Sequence, residues 1–395
     1  MQSLADGLGG VEALVPLDPE SLLAAAGETL DGLGEWAEAF TTFIWALRSE
    51  GDLHAAGAVL TRAEIVRHLR NRRAVDEAHA ADPSLAADPV VAPLVITGLA
   101  RSGTSILHEL LAQDPRHRVP QEWEVFYSTP APDAATYDSD PRIAIADGNR
   151  RLWDDLTPEY RAMHANGAQL PVECIFLMAD TFVSDQWSGC LPVPGYATWL
   201  RRQDMRRPLR HHRRVLQLLQ SRHRLDRWVL KAPSHLAWLP ALFDVYPDAW
   251  VVHTHRDPLK SVPSTISLMA TLQWMRSNHT LVDALAPGIA HSFAAMLDHV
   301  RRQRAEGTIP DERIIDVRYQ DLMSDPIGTL RGVYERIGAD FPEAVGERVL
   351  AYLAAKPKGA HGAHEYSLAE FGLDTAELRQ RYAGYQAAYD VPDEG

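Results

Sequence analysis

The sequence predicts an α/β protein: a P-loop-like central parallel sheet flanked by helices, with an N-terminal helical cap and a helical insertion. Three observations lead to that class. From residue 94 onward, short apolar runs alternate with helical stretches, the pattern of a parallel sheet. Residues 95–115, "VITGLARSGTSILHELLAQDP", read as strand, glycine turn and helix, with Gly98 and Gly103 five apart. Up to about residue 90 the chain carries helical spacing instead.

The elements follow in order. "LDPESLLAAAGETL" opens with an Asp/Ser cap signal, and "EWAEAFTTFIWALRSEG" holds apolar residues at helical spacing before Gly51. "TRAEIVRHLRNRRAVDEAHAADP" continues the pattern until "ADPSLAADP" breaks it. Residues 1–92 are therefore expected to form the cap and 93–395 the α/β domain. "PLVITGL" is the first buried strand, feeding the helix "TSILHELLAQ". "RHRVP", "RWVLK" (227–231), "AWVVHTH" (249–255) and "RIIDVRY" (313–319) supply four more strands. Residues 140–225, including "PVECIFLMADTFVSDQW" and "RRPLRHHRRVLQLLQ", read as the helical insertion.

Composition narrows the function classes. The chain has 395 residues, 46% hydrophobic, enough for a large core, and a net charge of −14 that argues against nucleic-acid binding. Two cysteines, Cys174 and Cys190, support neither a disulfide framework nor a zinc cluster. The N-terminus lacks a basic stretch before an apolar run, and no apolar stretch reaches the roughly 18 residues that span a membrane. A cytoplasmic enzyme without stable membrane insertion is expected. Only four of the 39 basic residues are lysines, among them Lys231.

The glycine turn has the spacing of a phosphate-binding loop. The lysine that should follow Gly103 is missing, and Arg101 lies inside the loop. The backbone N–H groups of 101–105 are expected to face one concavity at the positive end of the helix, with hydroxyls from Thr104 and Ser105. Nucleoside triphosphate hydrolysis needs that lysine and a strand carboxylate for magnesium, and "AWVVHTH" is followed by Arg256 before Asp257. A phosphosulfate donor, whose transferred group carries less charge, can rely on fixed cations alone. Lys231 ends one strand and Arg256 follows another. In a parallel sheet both share the carboxyl edge with Arg101, where ligands bind. Ser261 and Ser264, in "HRDPLKSVPSTISLM", either cradle a second phosphate with Arg256 or cap a helix around Pro263.

Together "GLARSGTSILHELLAQDP", "WVLKAPSHLAWLPALFDVYPDAWVVHTHRDPLKSVPSTISL" and "DVRYQDLMSDP" resemble the PAPS-dependent sulfotransferases. The similarity is to the bacterial and actinobacterial branch related to tyrosylprotein sulfotransferases, and it covers about residues 94–375, including "HEYSLAEFGL". It implies PAPS (3′-phosphoadenosine 5′-phosphosulfate) as donor, PAP as product and no metal. The loop Arg101, Ser102, Gly103, Thr104 and Ser105 would hold the 5′-phosphosulfate, and Arg256 with Ser264 the 3′-phosphate. Tyr319 matches a tyrosine near the adenine end, while Lys358 and His361 lie in a segment that closes over the nucleotide in relatives. Lys231 is placed on the leaving phosphate oxygen.

The departures from the cytosolic steroid and phenol enzymes are equally specific. Those carry lysine in the loop and a histidine base after the second strand, whereas this chain has Arg101 and "RHRVPQEWEVF". Glu122, 21 residues after Arg101, matches the glutamate base of the tyrosylprotein type. The topology independently returns Glu122 to the loop's edge, where it can accept a hydroxyl proton. Glu124 is its competitor, and His117 is expected at the strand's opposite end. In-line sulfuryl transfer to a hydroxyl or amine of a small molecule, lipid or glycan is the expected reaction. A magnesium-dependent kinase-like phosphotransferase and a non-catalytic PAP-binding protein are the alternatives. Acceptor choice is expected in 140–225 and in "YSTPAPDAATYDSDPR", where Phe176, Phe182, Trp187, Tyr196 and Trp199 are either pocket or core.

Overall fold

Strand β1, Leu94–Gly98, is buried at every residue, as its unbroken apolar run requires of a central parallel strand. In the computed structural model, which describes residues 1–7, 10–163, 167–356 and 367–394, it is the middle strand of five. The others are β2 His117–Arg118, β3 Arg227–Lys231, β4 Trp250–His255 and β5 Ile314–Arg318, in the order β2-β3-β1-β4-β5. Every pairing is parallel, so the carboxyl ends of all five strands share one edge. The chain is α/β, with helices on both faces of this sheet.

Two expected strands are shorter than their apolar runs. β2 contributes only two paired residues, beside Pro120, which has no N–H to extend the ladder. β5 stops at Arg318 because Tyr319 already begins the helix Tyr319–Ser324. His117 pairs with Arg227 at the amino end of β3, away from the edge that Lys231 reaches.

Ahead of β1 come the helices Pro19–Ala26, Ala37–Glu50 and Ala55–Ala81. Asp18 caps the first, its side chain accepting the Ser21 amide at 2.9 Å. The 27-residue helix Ala55–Ala81 lies hard against the end of the helix Pro258–Trp274. A Cβ on Gly57 would sit 1.9 Å from the Arg276 carbonyl oxygen, so only glycine permits that approach. Arg276 and Glu64, both buried, pair at 2.9 Å across the same contact.

Residues 140–225 are helical, with Pro141–Leu156, Cys174–Ala179, Asp185–Cys190, Pro194–Leu200 and Arg206–Gln220 among their segments. "PVECIFLMADTFVSDQW" is broken in the middle, where Phe182 adopts φ +59° and Ser184 caps the next helix. The aromatic question resolves mainly as core. Phe182, Trp187 and Tyr196 are all buried and pack on Phe40 and Phe43 of the N-terminal helices, Phe43 to Trp187 at 4.6 Å between ring centroids. Trp199 is half-buried against Tyr196, and Phe176 alone of the five faces a cavity. One apolar cluster thus runs from the N-terminal helices through the insertion to one face of the sheet. A second covers the other face beneath Thr104–Leu111, Pro326–Arg336 and Glu343–Ala355.

Candidate active site

Leaving β1, the chain turns through 99–103 into the helix Thr104–Leu111. Gly98 has φ +146°, and a Cβ there would meet Thr254 Oγ1 at 2.4 Å and the Thr254 carbonyl at 2.5 Å. Gly103, at φ +93°, lies under the Tyr319 ring, which a Cβ would strike at 2.7 Å. Arg101 adopts φ +68° without being glycine, a left-handed conformation uncommon for a long side chain. Ser102 explains how it is held. Its Oγ donates to the Leu99 carbonyl at 2.6 Å and is hydrogen-bonded at 2.6 Å to Thr254 Oγ1, while its amide donates to the same carbonyl at 3.2 Å. Ser102 is thereby committed to the loop's own shape.

The cations gather as the parallel topology requires. Lys231, 2% exposed, lies opposite Ile96 in the ladder, and its Nζ reaches Ser105 Oγ at 3.3 Å and Glu173 Oε1 at 2.5 Å. On the other side of β1, Arg101 Nε donates to Ser264 Oγ at 3.0 Å, and Arg256 Nη1 donates to the Arg101 carbonyl at 3.1 Å. The Arg256 guanidinium lies 4.1 Å from the centre of the Tyr319 ring, and its other face of donors is taken by Glu394. Ser264 and Ser261 do not cap a helix. Pro258–Trp274 begins earlier, capped by Asp257, which accepts the Leu259 amide at 2.9 Å. Asp257 is fully buried and is also held by both Arg379 terminal nitrogens at 2.8 Å, so its oxygens are engaged within the protein.

Glu122, the expected base, and its competitor Glu124 have different surroundings. Glu124 is fully buried, takes a two-point ion pair from Arg118 at 2.8 and 2.6 Å, and closes a capping box by accepting the Gln121 amide at 3.0 Å. Glu122 begins the helix Glu122–Phe126 and faces a cavity of about 1130 Å³. Arg150 Nη2 donates to Glu122 Oε2 at 2.5 Å. Burial pushes the Glu122 carboxyl above its ordinary pKa, and the Arg150 charge and hydrogen bond only partly oppose that shift. His108, behind Lys231, is held neutral: burial, then the Lys231 charge, lowers it to about 3.

That cavity opens from the loop, at Ala100 and Pro233, toward the N-terminal helices. Its walls are mostly apolar, from Val66, Phe126, Ile175, Phe176, Met269 and Leu272, and its polar groups include Glu122, Arg150, Glu173 and Asp185. One wall is the helix Ala55–Ala81, fixed there by Asn71, whose Nδ2 donates to the Val125 carbonyl at 2.7 Å, and by Arg67 over the Phe126 ring. Glu173, Arg150 and Asp185 were not anticipated. Arg150 is hidden by arginine abundance, and Glu173 meets Lys231 only through a contact 58 residues apart. Lys358 and His361 lie outside the described residues.

A glycine loop with cations on both flanks, opening onto a carboxylate-bearing cavity, defines an enzyme that moves an anionic group to an acceptor. The chain belongs to the sulfotransferase family, which matches residues 93–343, and is accordingly a transferase. It is 28% identical over 275 residues to the omega-hydroxy-beta-dihydromenaquinone-9 sulfotransferase Stf3 of Mycobacterium bovis and of Mycobacterium tuberculosis, covering 68% of this chain and 67% of those relatives. Among solved structures, sulfotransferase STF1 from Mycobacterium tuberculosis H37Rv superposes with a TM-score of 0.79 at 30% identity, covering 93% of this chain and 98% of that one. Sulfotransferase STF9 from Mycobacterium avium gives 0.83 at 26% identity, covering 96% and 98%. No helix among the described residues is long and apolar enough to cross a membrane.

Proposed function

We propose that the enzyme transfers the sulfuryl group of PAPS directly to a hydroxyl of an apolar small-molecule or lipid acceptor, releasing PAP. The observation that carries this reading is a link between loop and cavity. Lys231 Nζ reaches Ser105 Oγ at 3.3 Å on the loop side and Glu173 at 2.5 Å, and Glu173 lines the same cavity as Glu122 and Ala100. The acceptor oxygen forms the new bond to sulfur as the bond from sulfur to the bridging phosphate oxygen breaks. Glu122 takes the acceptor proton, and Lys231, Arg101 and the loop amides neutralise the charge that collects on the leaving oxygen. Arg256, Ser264 and the stacked Tyr319 hold the 3′-phosphate end.

The polarity of the cavity supports the acceptor class. A mostly apolar volume of about 1130 Å³ is larger than the roughly 300–1,000 Å³ of ordinary ligand sites. It suits an extended hydrophobic body with one hydroxyl delivered to Glu122. The relatives named for a hydroxylated dihydromenaquinone act on a molecule of that kind. Incubation with isotope-labelled PAPS and a lipid extract, followed by mass spectrometry, should yield a sulfated apolar product. Label confined to PAP and free sulfate would oppose the reading.

A further inference from the structure

The segment that follows the helix Thr375–Tyr389 ends on the cation assigned above to the 3′-phosphate. Glu394 presents its carboxylate side-on to Arg256, with Nε at 3.0 and 3.1 Å from the two oxygens and Nη2 at 2.8 Å from one of them. This two-point geometry is the one an arginine also offers a phosphate. Glu394 is not a loose surface carboxylate. Its amide donates to Asp257 Oδ2 at 2.8 Å, and Arg379, which grips Asp257, also pairs with Asp393 at 2.7 Å. Gln386 Nε2 donates to Asp393 Oδ1 at 2.9 Å and to the Val391 carbonyl at 3.3 Å, and the Val391 side chain is buried.

We infer that Glu394 is an internal occupant of the 3′-phosphate position, making residues 390–394 a latch that competes with the donor nucleotide. The inference rests on the reading that Arg256 receives that phosphate. Two anions cannot take the same Nε and Nη2 donors, so nucleotide entry requires the carboxylate to swing away and its return favours departure of PAP. A site available only when the latch is open has its apparent affinity reduced by the open fraction. A latch closed about nine-tenths of the time weakens binding about tenfold.

The test is calorimetric titration of the full chain with PAP and with adenosine 5′-phosphate, which lacks the 3′-phosphate. Glu394→Gln should bind PAP about tenfold more tightly than the unsubstituted protein and adenosine 5′-phosphate equally well. Unchanged or weaker PAP binding in Glu394→Gln, or equal tightening of both nucleotides, would overturn the latch. Arg256→Ala distinguishes that failure from failure of the underlying assignment. It should reduce PAP affinity to that of adenosine 5′-phosphate. PAP binding untouched by Arg256→Ala, or no binding of either nucleotide to any of the proteins, would remove the phosphate assignment and the latch with it.

Discussion

Glu122 and Glu124 are two residues apart and differ in what surrounds each carboxylate. Glu124 closes a capping box and neutralises a buried arginine, whereas Glu122 faces the cavity with one arginine contact. Glu122→Gln is therefore expected to lower kcat by about 10²–10⁴-fold, the range general-base catalysis supplies, with PAP affinity unchanged by titration. A base must be ionised to act, and burial raises the Glu122 pKa. The rate should rise with pH through a midpoint above the ordinary carboxylate range, and kcat measured from pH 4 to 8 should locate it. At this scale the gathering of cations beside the loop was the more legible. Arg101, Lys231 and Arg256 could be identified because a parallel sheet sends the ends of its strands to one edge. The partners Glu173 and Arg150 could not, since each pair forms between segments with no shared local pattern.

At the scale of elements, the turn after β1 allows least variation. Gly98→Ala places a methyl within 2.5 Å of the Thr254 backbone at a φ that disfavours side chains. It should weaken PAP binding by at least about tenfold and cost roughly 1–3 kcal/mol of stability in urea unfolding. Gly189 is the opposite case. It lines the cavity from the helix Asp185–Cys190, and a Cβ there meets nothing within 4 Å. Gly189→Leu should preserve or raise stability, since leucine favours a helix over glycine by roughly 0.5–1 kcal/mol. It should also raise KM for bulky apolar acceptors without altering PAP binding. Strand positions were legible because buried apolar runs and glycine turns are local signals. The early end of β5 at Tyr319 and the break at Phe182 were not, because tertiary packing decides them.

Across the whole molecule, the N-terminal helices and the insertion share one core. Phe43 lies against Phe182, Trp187 and Tyr196, so Phe43→Ala should cost roughly 3–5 kcal/mol, read as a lowered urea midpoint. A second global property is acid sensitivity. Burial alone would raise Asp114, but hydrogen bonds from Arg116 and Tyr334 hold it down at about 2. A carboxyl depressed in the folded state adds stability above its ordinary value of 3.8, and that contribution disappears as pH falls through about 2. Asp114→Asn should accordingly flatten the decline of the urea midpoint between pH 4 and pH 2.

The helix Ala55–Ala81 that walls the cavity lies entirely outside residues 93–343, where the family match falls. Part of the proposed acceptor wall thus lies outside the stretch that carries the loop and its cations, while Phe126, Phe176 and Met269 line the cavity from within it. On the proposed reading, substitutions at Val59, Ala63 and Val66 on that helix should change acceptor preference while leaving PAP affinity unchanged. On the same reading, two chains alike throughout 93–343 but different along this helix should differ in acceptor preference, and acceptor profiling of a helix-exchange variant would check it.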